Sequence, residues 1–479
     1  MEEKINKNRK QSGDDPVTIS SFPGSKNEKI NNNLKVSDFI LKEKKQNPQN
    51  ICKKLLSKIG PGSLSSSVFN LCILSLGTGS LALPKNIKYM SIFFSPVIIM
   101  LIGYLSHWTI TVLYKVSRKY RLNTYEDVIR KVLGPYMSTF VGFVMCINQM
   151  GCIILYQVIM YKLIGGIINE IFSLGYLNME DFVSRGLYGK LWMRFILCYL
   201  IMGTILYPLC QLNSIAKMRY ASAFGVYSLF FLIFIVVIEC PFRIKYNIDN
   251  DKFHINIIDI FSGIKNKIKI FEAMSTIFYA FSCHVGVFPV LETFHNPTEV
   301  RVKKLFKYSI LTDIICYCVI GISGYLTQPE NTPDLIIQRY KINKRDYLMT
   351  FGQMCFVLTL VAKICANYNA LRECMYNLVH IKNKKKPEYL NKILTFEVLM
   401  LTTLATVIFQ SISDYIVLIG SFCSIIISCL IPGIIYIKDN KYPIFHVKNL
   451  LVMIVIFMLS LTGFTSGCYT IKKIFGKNK

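Results

Sequence analysis

Two short stretches hold residues from which a binding site can be made without any charged side chain. The first is Gly77-Thr78-Gly79-Ser80, inside the uncharged run SSSVFNLCILSLGTGSLALP over 65–84. The second is Ser282, Cys283 and His284, with Gly286 and Pro289, inside an apolar run over 272–292. Glycine on either side of Thr78 opens dihedrals closed to other residues, and Pro289 lacks an N–H and clashes with a continuing helix, so both runs are expected to be helices that bend or break. A break leaves N–H and C=O groups without partners, which hydrocarbon penalises heavily, so broken backbone persists only inside protein or beside a wet cavity. The free N–H groups of a half-helix suit a carboxylate, and unwound carbonyls suit an ammonium. A zwitterion is thereby neutralised at both ends. Small residues at 77–80 also serve plain close packing of helices. The coincidence of two interruptions is what favours a site.

The elements that hold these stretches are membrane spans. The chain has 479 residues, 52% of them hydrophobic and 13% aromatic, and its apolar runs recur at bilayer length. The expected architecture is all-α and polytopic, with eleven spans: the broken run at 65–84, then about 91–114, 137–171, 192–210, 219–240, 272–292, 305–326, 347–370, 392–411, 414–437 and 449–470. Interruptions in the first and sixth spans occupy corresponding places in two five-span repeats, the pattern of an inverted-repeat transporter with its site at mid-membrane. Residues 63–471 form this transmembrane domain. Residues 1–62 are polar and aperiodic and are expected to be a disordered cytoplasmic tail whose basic stretch at 51–59 can lie on anionic lipid; 472–479 form a short C-terminal tail.

The formal charge of +27 does not point to nucleic acid, because no recognition motif accompanies it and the basic residues fall in the tail and between spans. They favour one side of the membrane by about two to one, which places the N-terminus in the cytoplasm. Sixteen cysteines would suggest a disulfide framework in a small secreted chain, but most lie in apolar spans, with no CxxC pair and no His-Cys cluster spaced for zinc. No metal or cofactor is expected. The first 62 residues contain no signal-peptide core, and no N-glycosylation sequon occurs. There is no HExxH, Walker loop or GxSxG, so neither an enzyme nor a nucleotide-driven pump is expected. A channel would need a polar lining or rings of charge that the spans do not offer.

Within the third span Gln149 and Tyr156 lie seven residues apart on one face, and either line a cavity or bond to a neighbouring helix; Asn148 accompanies them. Asp313 in the seventh span and Glu397 in the ninth are candidates by default, though their distance from Lys303, Lys304 and Lys307, and from Lys392, favours interfacial ion pairs.

The runs NLCILSLGTGSLALP at 70–84 and FSCHVGVFPVLE at 281–292 resemble the amino acid/auxin permease family, which includes sodium-coupled neutral and proton-coupled amino acid transporters. The segment 367–373, NYNALRE, looks like the family's eighth-span ending, and the likeness extends over about 61–471. It implies the broken-helix fold of the bacterial leucine transporter and amino acid translocation by alternating access. It implies a substrate site at Gly77, Thr78, Gly79 and Ser80 for the carboxylate, and at Ser282, Cys283 and His284 for the amino group and side chain. Asn70, which opens the first run, and Tyr279, beside the second, join that set with Gln149 and Tyr156. These residues leave neutral, aromatic and cationic amino acids all open.

Some relatives bind sodium between first-span carbonyls and an eighth-span hydroxyl, and counting back from Leu371-Arg372-Glu373 places Lys363 at or near that hydroxyl. A fixed ammonium there replaces the cation, or carries a coupling proton after desolvation; alternatively it snorkels or pairs structurally. Several relatives also clamp outer loops with a disulfide, and the loops at 172–190 and 241–270 contain no cysteine. The expected function is amino acid transport, proton-coupled or facilitative. Its alternatives are sodium symport and a receptor that binds amino acid without flux and signals through the tail. Plasma membrane and an internal vacuolar or lysosome-like membrane both remain open.

Overall fold

The computed structural model describes residues 62–171, 190–211, 215–250, 264–339, 347–378, 388–409, 411–440, 442–443 and 445–476, all within one compact unit. The expected tail at 1–62, apart from Gly62, and its basic stretch lie outside these residues. Helices and turns account for the described residues, with no strand among them.

The first span is two helices, α1 (Leu64–Ser75) and α2 (Thr78–Met90), bent by 56° across Leu76 and Gly77. Ser63 caps α1 by accepting the Ser66 N–H at 3.2 Å. The following spans are α3 (Phe94–Tyr120), α5 (Pro135–Ile171), α6 (Leu191–Cys210) and α7 (Ile215–Asp249), with the short α4 (Tyr125–Leu133) between α3 and α5. The sixth span is again broken, into α8 (Ile264–Ala280) and α9 (Val287–Thr293). The last five are α10 (Glu299–Thr327), α11 (Tyr347–Leu378), α12 (Glu388–Ile408), α13 (Ile412–Asp439) and α14 (Val447–Gly476). That makes eleven spans with breaks in the first and sixth, as expected. Leu101, Phe143, Phe234, Leu358 and Phe457 face outward, which lipid tolerates and water would not. α14 is the most peripheral span and leaves ten to form the core.

Two features differ from expectation, the end of α7 and the presence of α4, each for an identifiable reason. α7 continues through Pro241 to Asp249, although the fifth span was expected to end at 240. Beyond the proline, Arg243 pairs with Glu239 at 3.2 Å and the Asn247 amide donates to the Thr327 carbonyl at 3.0 Å, so tertiary bonds offset the lost ladder bond. The break in the sixth span falls at Ser282 to Gly286, among the residues expected to carry it, and ends just before Pro289. Pro289 sits in the first turn of α9, where a missing N–H costs little. The helix α4 was not expected, although Thr124, which accepts the Asp127 N–H at 3.2 Å, caps it in a way the sequence spells out.

α2 packs between α8 and α10, and α5 packs along α11. Toward its C-terminal end α2 is tied to the segment after α10: Lys85 pairs with Asp334, and the Lys88 ammonium donates to the Glu330 carbonyl. Burial works against the Asp334 carboxylate, but the Lys85 ammonium outweighs it and holds Asp334 below the usual carboxylate range. The pair's contribution is therefore complete above about pH 4 and fades as pH falls through the lower folded value. Asp334→Asn is expected to lower stability by about 2 kcal/mol near neutrality. Melting temperatures of the two proteins, measured from pH 7 downward, should converge only below about pH 4. A gap unchanged at acid pH would remove the pair as its cause.

Candidate functional site

At the first break, carbonyls that α1 can no longer use internally are taken up by side chains from other elements. The Lys363 ammonium, from α11, donates to the Leu76 carbonyl at 2.9 Å and to that of Ile73 at 3.4 Å. The Ser80 hydroxyl folds back to the Gly77 carbonyl at 2.7 Å. Ser75, whose hydroxyl also reaches the Leu71 and Cys72 carbonyls, donates to Asp313 Oδ2 at 2.5 Å. Such back-bonding competes with the helix ladder and helps to end α1. No side chain caps the N-terminus of α2, so its first N–H groups face the break.

The second break is held in the same manner. Tyr317 donates to the Ala280 carbonyl at 2.7 Å and Ser106 to that of Phe281 at 3.5 Å. The two breaks touch at Gly79: a Cβ there would stand 2.8 Å from Ala280 Cα and 2.9 Å from Ala280 Cβ. Only glycine permits that approach.

The geometry divides the candidate residues. Thr78 Oγ1 and Tyr279 Oη lie 3.2 Å apart, joining the breaks, and the Tyr156 hydroxyl faces Tyr279, Thr78 and Asn367. Cys152 Sγ approaches Tyr279 Oη at 4.0 Å. Spans one, three, six and eight thus meet at one buried polar point beside the uncapped start of α2. Gln149 is buried two turns before Tyr156 on α5, and Asn70 is half-buried two turns before the break; neither touches this point. Ser282 is half-buried, while Cys283 is buried on the side of Asp313. His284 is fully buried, and its Nε2 meets Thr109 Oγ1 of α3 at 2.8 Å, with Nδ1 lacking a partner among the described residues. Both are therefore engaged away from the Thr78–Tyr279 contact.

Lys363 borders a cavity of about 10 Å³ where α1, α7 and α11 meet, with Gly77, Gly225, Phe356 and Thr359 in its wall. That is room for about one water. A Cβ on Gly77 would come within 2.6 Å of the Lys363 nitrogen.

Two expectations about ionisable residues are corrected. Asp313 forms no interfacial ion pair; it is 0% exposed and bonded to Ser75. Glu397 is exposed on α12 with no ion pair among the described residues. Cys152 and Thr359 were not singled out beforehand, and Asn367 was noted only as part of the NYNALRE segment, not as a site residue. Their signal was weak, because small polar residues in spans are common helix-packing groups. The described cysteines are all free.

The profile of the family described as transmembrane amino acid transporter protein matches residues 60–472. A putative amino acid transporter, AAT1, of Plasmodium berghei is 22% identical over 85% of this chain and 70% of its own. The vacuolar amino acid transporter 2 of Saccharomyces cerevisiae is 22% identical over 66% of this chain and 62% of its own. The putative sodium-coupled neutral amino acid transporter 11 of Mus musculus is 22% identical over 84% and 86%. Among solved structures, a manganese transporter from Eremococcus coleocola aligns with 91% of this chain and 90% of its own at a TM-score of 0.48 and 12% identity.

Proposed function

The chain belongs to the transmembrane amino acid transporter family and is a multi-pass membrane protein, and from that premise we propose that it carries a zwitterionic amino acid across the membrane by alternating access, independently of sodium. The observation that carries the reading is the contact between the two broken spans, with the uncapped start of α2 beside Thr78, Tyr279 and Tyr156. The substrate carboxylate takes the N–H groups of Thr78, Gly79 and Ser80, where the helix dipole favours negative charge. Its ammonium takes carbonyls of the unwound segment near Phe281 and Ser282, and the hydroxyls of Tyr279 and Tyr156 complete the lining. Lys363 stays charged and occupies the place of a cation, since an ammonium donating to two carbonyls is well satisfied there and repels a second positive charge.

The test is radiolabelled amino acid flux into proteoliposomes of the purified protein, first under an imposed proton gradient and then under a sodium gradient. Flux insensitive to sodium supports the reading; sodium-driven flux, or binding without flux under any gradient, overturns it, and the second outcome favours a receptor. Tyr279→Phe removes the hydroxyl that joins the breaks at the cost of about 1 kcal/mol. The half-saturating substrate concentration is then expected to rise roughly fivefold with the maximal rate largely kept. A purely structural hydroxyl would instead lower the maximal rate and leave half-saturation alone.

A further inference from the structure

The side chain of the site's surroundings with the least to neutralise it is Asp313, on α10. It is 0% exposed, one oxygen accepts the Ser75 hydroxyl at 2.5 Å, and the other has no partner among the described residues. Cys72 of α1 and Cys283 of the second break face it, as do Cys316 and Tyr317 of its own helix. Among the described residues, α2, α3 and α7, which also pack on α10, present no charged or titratable group to it, and no lysine, arginine or histidine balances it. A carboxylate buried without a counter-charge is far costlier than a neutral carboxyl.

Its position matters as much as its burial. Ser309, Asp313 and Tyr317 follow one another at helical spacing on one face of α10. The Ser309 hydroxyl reaches the Val68 carbonyl of α1 at 3.4 Å and Asp313 holds the last residue of α1. Tyr317 holds the Ala280 carbonyl at the end of α8. One helical face thus grips both breaks, and an acid sits at its centre. Lys363 grips Leu76, the residue after Ser75, from α11.

We propose that Asp313 is the proton-binding site of the transport cycle: a neutral carboxyl while packed against the first break, and a carboxylate when that break opens to water. Opening breaks the O–H bond, leaves the electron pair on the carboxylate and passes the proton to solvent on the side then open; closing from the other side requires reprotonation there. One proton moves per amino acid, and Lys363 remains an ammonium throughout. This division of labour rests on the amino acid transport reading above and adds the ion that drives it.

Infrared spectroscopy of the purified protein in lipid at neutral pH tests the protonation state without any substrate. A protonated-carboxyl band present in the native protein and absent in Asp313→Asn is expected; identical spectra would overturn the proposal whether or not amino acids move. In proteoliposomes a gradient of one pH unit concentrates substrate by up to about tenfold when one proton accompanies it. Asp313→Asn, a fixed mimic of the neutral acid, should show no accumulation yet keep substrate exchange at zero gradient. Accumulation that persists in the variant would sink the idea. If Asp313→Asn does not fold, Ser75→Ala keeps the acid and removes the hydroxyl it accepts from: driven flux should persist with a displaced pH profile, and an unmoved profile counts against Asp313. Loss of native exchange for every amino acid class would strike the transport reading instead, leaving the infrared result to decide Asp313.

Discussion

Lys363→Thr is expected to lose at least about tenfold of its sodium-free flux, because two carbonyls in a low-dielectric setting lose their donor at roughly 1 to 3 kcal/mol each. Native Lys363 is the donor the Leu76 and Ile73 carbonyls have at the end of α1, at 2.9 and 3.4 Å. Threonine is too short to reach them, and the neighbouring cavity of about 10 Å³ grows by most of a lysine side chain. What remains is a set of oxygens: two carbonyls, the new hydroxyl and that of Thr359 one turn away. Oxygen donors without a fixed positive charge suit a hard cation. Added sodium should therefore restore flux in the variant, whereas choline should not, and sodium should leave the native protein unaffected. The measurement is initial flux against sodium concentration in both proteins at fixed pH. A native protein that already responds to sodium rules out Lys363 as its surrogate. A variant with undiminished sodium-free flux shows that the carbonyls find another partner.

Much of this arrangement can be read from residue types alone. Span number and the breaks in the first and sixth spans follow from apolar length and from glycine and proline placement, because hydrocarbon leaves the backbone few options. The direction of individual side chains does not follow. His284 sits in a break and has the chemistry of a ligand, yet its ring turns to Thr109 of α3, a partner 175 positions away in sequence. Asp313 was assigned to the interface by its separation from Lys303, Lys304 and Lys307. The helix begins at Glu299, however, and carries Asp313 about 21 Å from its start, to the level of the break. Lys363 was placed near the first-span carbonyls by counting along one motif, and the geometry gives it two of them. Pro241 illustrates the opposite limit: local chemistry says stop, and bonds from Arg243 and Asn247 carry the helix onward. Pairings between distant spans decide these cases, and one span's sequence holds no record of them.

Gly79→Val is expected to abolish transport and lower the melting temperature, and Gly79→Ala to cut flux by roughly tenfold or more, since overpacking a close contact costs about 1 to 3 kcal/mol. The reason is that the nearest atoms belong to backbone. A Cβ at position 79 would meet Ala280 Cα at 2.8 Å, Ala280 Cβ at 2.9 Å and Ala280 N at 3.3 Å. A flexible side chain could swing aside; the end of α8 is held by Tyr317 on the Ala280 carbonyl and cannot. The breaks must then separate, which stretches the 3.2 Å contact of Thr78 with Tyr279 and turns the first N–H groups of α2 away from the carbonyls opposite. The double variant Gly79→Ala with Ala280→Gly sharpens the argument. It removes the contact with Ala280 Cβ but leaves those with Cα and N, so rescue should be partial in both flux and melting temperature. Full rescue would assign the clash to the Ala280 methyl group alone, and no loss in either single variant at 79 would mean that the two breaks do not need to touch for transport.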